Sequence, residues 1–300
     1  MRALSLVLIL LFACAPSAST ASPGAPTGPE PAVEPRTETR ETFQIAVSGQ
    51  GPDVVLVPGL TCGGHVWDAT VAHLSKDHTL HVLTLAGFAG TPRAEGETFL
   101  PRVREELAAY LRELDRPVLI GHSLGGFMAF WISASEPGLL AGAIAVDGLP
   151  ALGALSGQDE AAVATFAAQM EKQMAAQSRD AFAEQTAQTL LAQISSPDEA
   201  ARIAKVSGRS DPAVVGRAMA ELLTTDLRPT VHAISTPMLL LGAGAGTPAQ
   251  VEARTQQYRA QVETIPHHEV VMVPGTRHFV MLDAPEAFLQ HVDRFLEQVQ

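Results

Sequence analysis

A mostly parallel central β-sheet flanked by helices, α/β in class and carrying an inserted helical cap, is the architecture that the sequence predicts. Three observations point to it. Short apolar runs rich in Val, Leu and Ile recur along the chain, segments of helical length separate them, and one long central stretch holds helices with almost no strand-like run. Runs that are apolar throughout, rather than alternating, belong to strands buried on both faces, as in a sheet covered by crossover helices.

In chain order, Thr42 to Val47 reads as a first strand and Asp53-Val54-Val55-Leu56-Val57-Pro58 as a buried one. Trp67 to Leu74 suits a short helix, and His81-Val82-Leu83-Thr84-Leu85 the next strand. Phe99 to Leu114 has helical periodicity. Pro117 to Ile120 is a strand, Leu124 to Ser133 a helix, and Ala141 to Val146 a strand. The pattern then breaks. From Glu160 to Leu227 the helical segments Ala161 to Ala176, Ala181 to Ile194 and Ala213 to Leu223 follow one another. Strand signals return at Pro237 to Leu241 and at Glu269 to Val273, and a terminal helix runs from Pro285 to Val299. The expected division is a core of residues 41–150 and 232–300, with a helical cap at 151–231.

The 300 residues, 46% of them hydrophobic, suffice for one large core. Lys and Arg total 20 against 32 Asp and Glu, a formal net charge of −12. That balance argues against nucleic acid as a partner, because such binding is driven by basic patches.

At the start of the chain Arg2 precedes the apolar run Leu4 to Ala13. Residues 1–13 therefore read as an export signal peptide, too short for a permanent bilayer-spanning helix. Leu11-Phe12-Ala13-Cys14 resembles the bacterial lipobox, which implies a lipid anchor on Cys14. With no Asp directly after that Cys, the resemblance implies retention on the periplasmic side of the outer membrane. Cleavage between Ala13 and Ala21, giving a soluble periplasmic or secreted protein, is the alternative. Residues 15–40, rich in Pro, Ala, Ser, Thr and Glu, lack apolar periodicity and are expected to form a disordered tether. Once Cys14 is removed or acylated, Cys62 is the only thiol, so no intrachain disulfide is expected.

Gly121-His122-Ser123-Leu124-Gly125-Gly126 falls between a buried strand and a helix. A Ser in such a tight turn projects its hydroxyl above the sheet, and small residues two before and two after it relieve the crowding. The helix that follows directs free amides and its positive end toward the Ser, where negative charge develops in acyl transfer. The spacing does not fit a dinucleotide-binding loop.

With this motif in this context, residues 42–298 resemble the α/β-hydrolase superfamily, in particular its members with a helical cap. The resemblance implies a Ser123 nucleophile. It also sets the chain apart from the dehalogenase and epoxide hydrolase branches, which carry an Asp at that position. Val273-Pro274-Gly275-Thr276-Arg277-His278-Phe279 resembles the loop that carries the family's general base, with Arg277 where Gly is usual, and implies that role for His278. His122 is expected to be a packing or hydrogen-bonding neighbour, and His267 and His268 to face solvent.

The fold supplies an oxyanion hole from backbone N–H groups. One is expected from Leu124 and the other from Leu60, in Pro58-Gly59-Leu60, where relatives have His-Gly-X. Cys62 is expected to be a small apolar lining residue. The acid that orients the base departs from the family pattern, because Gly242 to Gln250 contains no carboxylate. Asp147, at the end of the preceding strand, is the leading candidate. Glu252, Asp226 and a Ser–His dyad stay open.

Met170, Met174, Phe166 and Phe182 are candidates for an apolar pocket under the cap, and Gly87-Phe88-Ala89-Gly90 is expected near its mouth. These features imply a serine hydrolase acting through an acyl-enzyme on a small or medium, largely uncharged carboxylic ester. The same fold acting on an amide, a lactone or a C–C bond is the alternative, as is a catalytically inactive binding lipoprotein. The chemistry needs no cofactor and no metal. The expected partner is a small-molecule ester.

Overall fold

The computed structural model describes residues 36–300. The expected signal peptide, the lipobox at Cys14 and most of the expected tether lie outside these residues.

Eight strands form one sheet: β1 (Arg36–Thr39), β2 (Phe43–Gly49), β3 (Asp53–Val57), β4 (Thr79–Leu85), β5 (Val118–His122), β6 (Gly142–Val146), β7 (Met238–Gly244) and β8 (His268–Pro274). Their spatial order is β1-β2-β4-β3-β5-β6-β7-β8. The two pairings that involve β2 are antiparallel and the rest are parallel. Ten helices connect and cover them: α1 (Asp68–Leu74), α2 (Leu100–Leu111), α3 (Leu124–Ser135), α4 (Glu160–Ala175), α5 (Arg179–Gln193), α6 (Pro197–Ser207), α7 (Pro212–Thr224), α8 (Pro248–Val262), α9 (Val280–Asp283) and α10 (Pro285–Val299).

The uninterrupted apolar runs have a plain cause. Successive side chains of a strand point to opposite faces, and both faces are buried here. Val55, Val57, Leu119, Ala145 and Leu240 pack on one side with α2, α3 and α8. Val54, Leu56, Ile120, Ile144 and Leu241 pack on the other with Trp67 and α10.

β1 corrects the reading of residues 15–40 as tether throughout. Arg36 to Thr39 pair with Val47 to Gln44 at the edge of the sheet. Ladder hydrogen bonds come from the backbone, so a short polar edge strand carries no apolar signal.

Four helices lie between β6 and β7. Each starts at a side-chain N-cap: Asp159 accepts from the Ala162 N–H, Ser178 from Ala181, Ser196 from Glu199 and Asp211 from Ala213. Such caps contribute about 1 kcal/mol each. Helix α4 packs on α7, and α5 on α6. The pairs are rooted in different faces of the core: Val215, Ala218 and Leu222 of α7 join one, and Leu190 of α5 with Ala200 and Ile203 of α6 join the other. A cavity of about 300 Å³ opens between them.

Candidate active site

β5 ends at His122, and Ser123 begins the turn into α3 with φ 53° and ψ −110°. That left-handed conformation is costly for a residue with a side chain. It is fixed here by a 2.8 Å bond from the Ser123 N–H to the Val146 carbonyl. The flanking glycines are required. A Cβ at Gly121 would lie 2.0 Å from the Gly125 carbonyl oxygen, and one at Gly125 would lie 2.2 Å from that of Val57.

His278 sits in the loop after β8. The loop is shaped by Gly275 at φ 75° and by Thr276, whose hydroxyl donates to the Val273 carbonyl at 2.8 Å. The Arg277 N–H donates to Asp283 Oδ2 at 2.7 Å. The Arg277 guanidinium donates to the Leu191 and Ile194 carbonyls, both at 3.2 Å. A cation thus meets the negative end of α5, and the residue that replaces the family's Gly ties the histidine loop to the helices above the sheet.

Asp147 Oδ2 accepts from His278 Nδ1 at 2.7 Å. Its other oxygen accepts from the Ala243 N–H at 2.9 Å and from the Tyr258 hydroxyl at 2.8 Å. Burial pushes this carboxyl up. The hydrogen bond and charge of His278, with the Ala243 and Tyr258 donors, outweigh burial and hold it below the ordinary carboxylate range. Asp147 is therefore ionised at neutral pH. With Nδ1 occupied, Nε2 is the His278 nitrogen left for the cavity, which Ser123 and His278 both line. The bond between Ser123 and His278 is not formed here; such bonds commonly tighten only around substrate.

His122 is buried, and its Nε2–H donates to the His278 carbonyl at 3.0 Å. Burial and the neighbouring His278 push its pKa down to about 3. It is a neutral strut. Against it runs the loop after β3, so closely that a Cβ on Gly59 would lie 2.8 Å from His122 Nδ1 and 3.2 Å from Ser123 Cβ. This approach brings Leu60 to the cavity wall beside Ser123. Neither the Leu60 nor the Leu124 N–H donates to a carbonyl among the described residues.

The remaining candidates fall elsewhere. Asp226 pairs with Arg228 at 2.6 Å, and Glu252 accepts from Gln256 on the surface. His267 and His268 are exposed. Cys62 does not line the cavity above Ser123: it is fully buried, its Sγ accepts from the Ser207 hydroxyl at 3.6 Å, and burial raises its pKa to about 11. The expected lining role gives way to packing.

Met170, Met174 and Phe182 line the cavity, but Phe166 is 60% exposed. Each four-residue step turns about 40° around a helix, so the stripe that starts at Met174 has left the cavity by Phe166. Gly87 to Gly90 are not at the mouth. Gly87 accepts from the Asp211 N–H at 2.7 Å, and the Ala89 N–H donates to the Ser210 hydroxyl, which itself donates to the Thr61 carbonyl. The segment braces the Leu60 loop from behind.

Tyr258 and Asp283 escaped sequence reasoning. Tyr258 lies on α8, a largely polar helix, and meets a partner 111 positions away. No local pattern encodes that.

A family model described as the alpha/beta hydrolase family matches residues 54–291. The chain belongs to the alpha/beta hydrolase family. This alpha/beta hydrolase is 26% identical over 272 residues to the pimeloyl-[acyl-carrier protein] methyl ester esterase of Vibrio atlanticus, covering 86% of this chain and 99% of that one. A shorter match to the enzyme of that name from Aeromonas hydrophila is 41% identical over 103 residues, 34% of this chain and 40% of the relative. Among solved structures, an esterase from Thermogutta terrifontis superposes with a TM-score of 0.71 at 21% identity, over 88% of this chain and 99% of that one. The last comparison bears on the fold.

Proposed function

We propose that this hydrolase cleaves a carboxylic ester of a small or medium, largely uncharged substrate through a Ser123 acyl-enzyme. The observation that carries the reading is the 2.7 Å bond from His278 Nδ1 to the buried Asp147, with Ser123 in its left-handed turn on the same cavity. The esterase relatives support the choice of bond.

In the proposed cycle His278 Nε2 takes the Ser123 proton as Oγ attacks the ester carbonyl. Asp147 holds the imidazole in the Nδ1–H tautomer and stabilises the imidazolium. The Leu60 and Leu124 N–H groups receive the developing oxyanion. His278 then protonates the departing alcohol, which leaves the acyl group on Ser123. A water attacks the acyl carbonyl with His278 again as base, and the carboxylic acid departs. Helices α4–α7 serve as the cap that shelters these steps. Residues 1–13 direct export, with Cys14 as the lipid-bearing residue, a separate proposal tested by the mass of the mature N-terminus.

The catalytic proposal is tested with p-nitrophenyl esters from acetate to decanoate. The expected result is hydrolysis by the wild type that Ser123→Ala abolishes. Equal rates for the two proteins on every ester would overturn it.

A further inference from the structure

His278 is held from two sides. From the core, Asp147 Oδ2 accepts from its Nδ1, and His122 Nε2–H donates to its carbonyl. From above the sheet, the end of α5 bonds to both of its chain neighbours. The Arg277 guanidinium donates from one nitrogen to the Leu191 and Ile194 carbonyls, and the Phe279 N–H donates to the Gln193 carbonyl at 3.4 Å.

Asp283, at the end of α9, closes the same joint. Its Oδ1 accepts from the Ser195 N–H at 2.7 Å. Its Oδ2 accepts from the Ser195 hydroxyl at 2.8 Å and from the Arg277 N–H at 2.7 Å. One carboxylate thus fastens the turn after α5 to the histidine loop, through bonds that its charge strengthens. Helix α5 also walls the cavity, with Thr186, Thr189, Leu190 and Gln193. Wall and base share one support. A general base works only within a narrow distance of the proton it takes, and a displacement of about 1 Å can cost a hundredfold in rate.

We propose that Arg277 and Asp283 are positioning residues that make helix α5 a support of the base, so that the alignment of His278 depends on α5 being tied down. Neither side chain lines the cavity. Both act through His278, and the role rests on the serine-esterase reading for the reaction that His278 serves.

Three variants test this. Arg277→Met keeps the aliphatic stem and deletes the donors, Asp283→Ala deletes the acceptor, and Arg277→Lys returns a cationic donor. Rates on p-nitrophenyl acetate and octanoate are taken per active site, counted with a phosphonate that labels Ser123, so that misfolded protein does not enter them. Arg277→Met and Asp283→Ala should each lower kcat roughly ten- to a hundredfold, by a similar factor on both esters and with KM little changed. Arg277→Lys should recover most of the loss. If Asp283→Ala does not fold, Arg277→Met decides. An acetyl group reaches little of the cavity, so a loss confined to the octanoate KM would make the two residues shapers of the pocket and overturn the proposal. Wild-type kcat in both variants would do the same.

Proton NMR reads the joint without turnover. The His278 Nδ1–H, bonded to Asp147, should give a sharp downfield resonance in the wild type that broadens through exchange with water in Arg277→Met and Asp283→Ala. Equal sharpness in all three proteins would overturn the proposal. Failure of the wild type to hydrolyse either ester would remove the esterase reading, while the NMR comparison still decides this one.

Discussion

Asp147 meets His278 from the end of β6, one strand nearer Ser123 than the glycine-rich end of β7, and the 2.7 Å bond between them spans 131 positions of sequence. The backbone of β7 serves this arrangement, because the Ala243 N–H holds the carboxylate oxygen that His278 does not use. Asp147 itself adopts φ 48°, a conformation that Asp and Asn tolerate better than other side chains.

Asp147→Asn should therefore keep the backbone and lose the chemistry. An amide in that place no longer stabilises the imidazolium, and kcat is expected to fall roughly a thousand- to ten-thousand-fold. Ester kinetics alongside a circular dichroism melt check this. A near-native rate would remove Asp147 from the machinery.

Tyr258→Phe deletes one of the donors that keep Asp147 ionised. The depressed carboxyl stabilises the fold above the ordinary carboxylate range, and that contribution disappears as pH falls through the lowered folded value. Losing the donor raises the folded value, so the variant should unfold at higher pH than the wild type during acid titration. Its cost at neutral pH should be about 1.5–3 kcal/mol, as for hydrogen bonds to charged groups. Fluorescence-monitored acid unfolding measures the midpoint. Coincident midpoints would show that the hydroxyl does not support the carboxylate.

Gly59→Ala probes the proposed oxyanion role of the loop that carries Leu60. The added methyl meets His122 and Ser123 at less than ordinary contact distance, and both are fixed, so the loop must move and take the Leu60 N–H with it. Losing one oxyanion donor costs roughly a hundred- to a thousand-fold in kcat, with KM little changed. A change confined to KM would assign the loop to binding.

His122 is expected to stay neutral, as its Nε2–H tautomer, from pH 8 down to pH 5, since its pKa lies near 3. The ring nitrogen shifts read by NMR report the tautomer directly. Protonation within that range would mean that the ring does not hold the His278 carbonyl as described.

Much of this molecule is legible in sequence because the determinants are local. Ser123 is found from Gly121 and Gly125, whose necessity follows from contacts within one turn. The parallel strands are found because burial on both faces leaves continuous apolar runs. Helix α8 passed unread as its face is mostly Gln, Arg and Thr, although Thr247 and Gln250 form a capping box at its start. Asp147 was legible only in part. Its place at a strand end is local, but its choice depends on Ala243 and Tyr258, which the fold brings from far along the chain. Arg277 shows the same limit, since its worth lies in carbonyls at the end of α5.

Cys62 gives the protein a built-in clock. Its thiol sits where the loop after Leu60 meets Ser207 at the end of α6, fully enclosed. An alkylating reagent can reach it only when this enclosure opens. The rate of labelling therefore counts how often that side of the molecule opens, and a ligand that holds α5 and α6 down would slow the count without any change in the thiol itself.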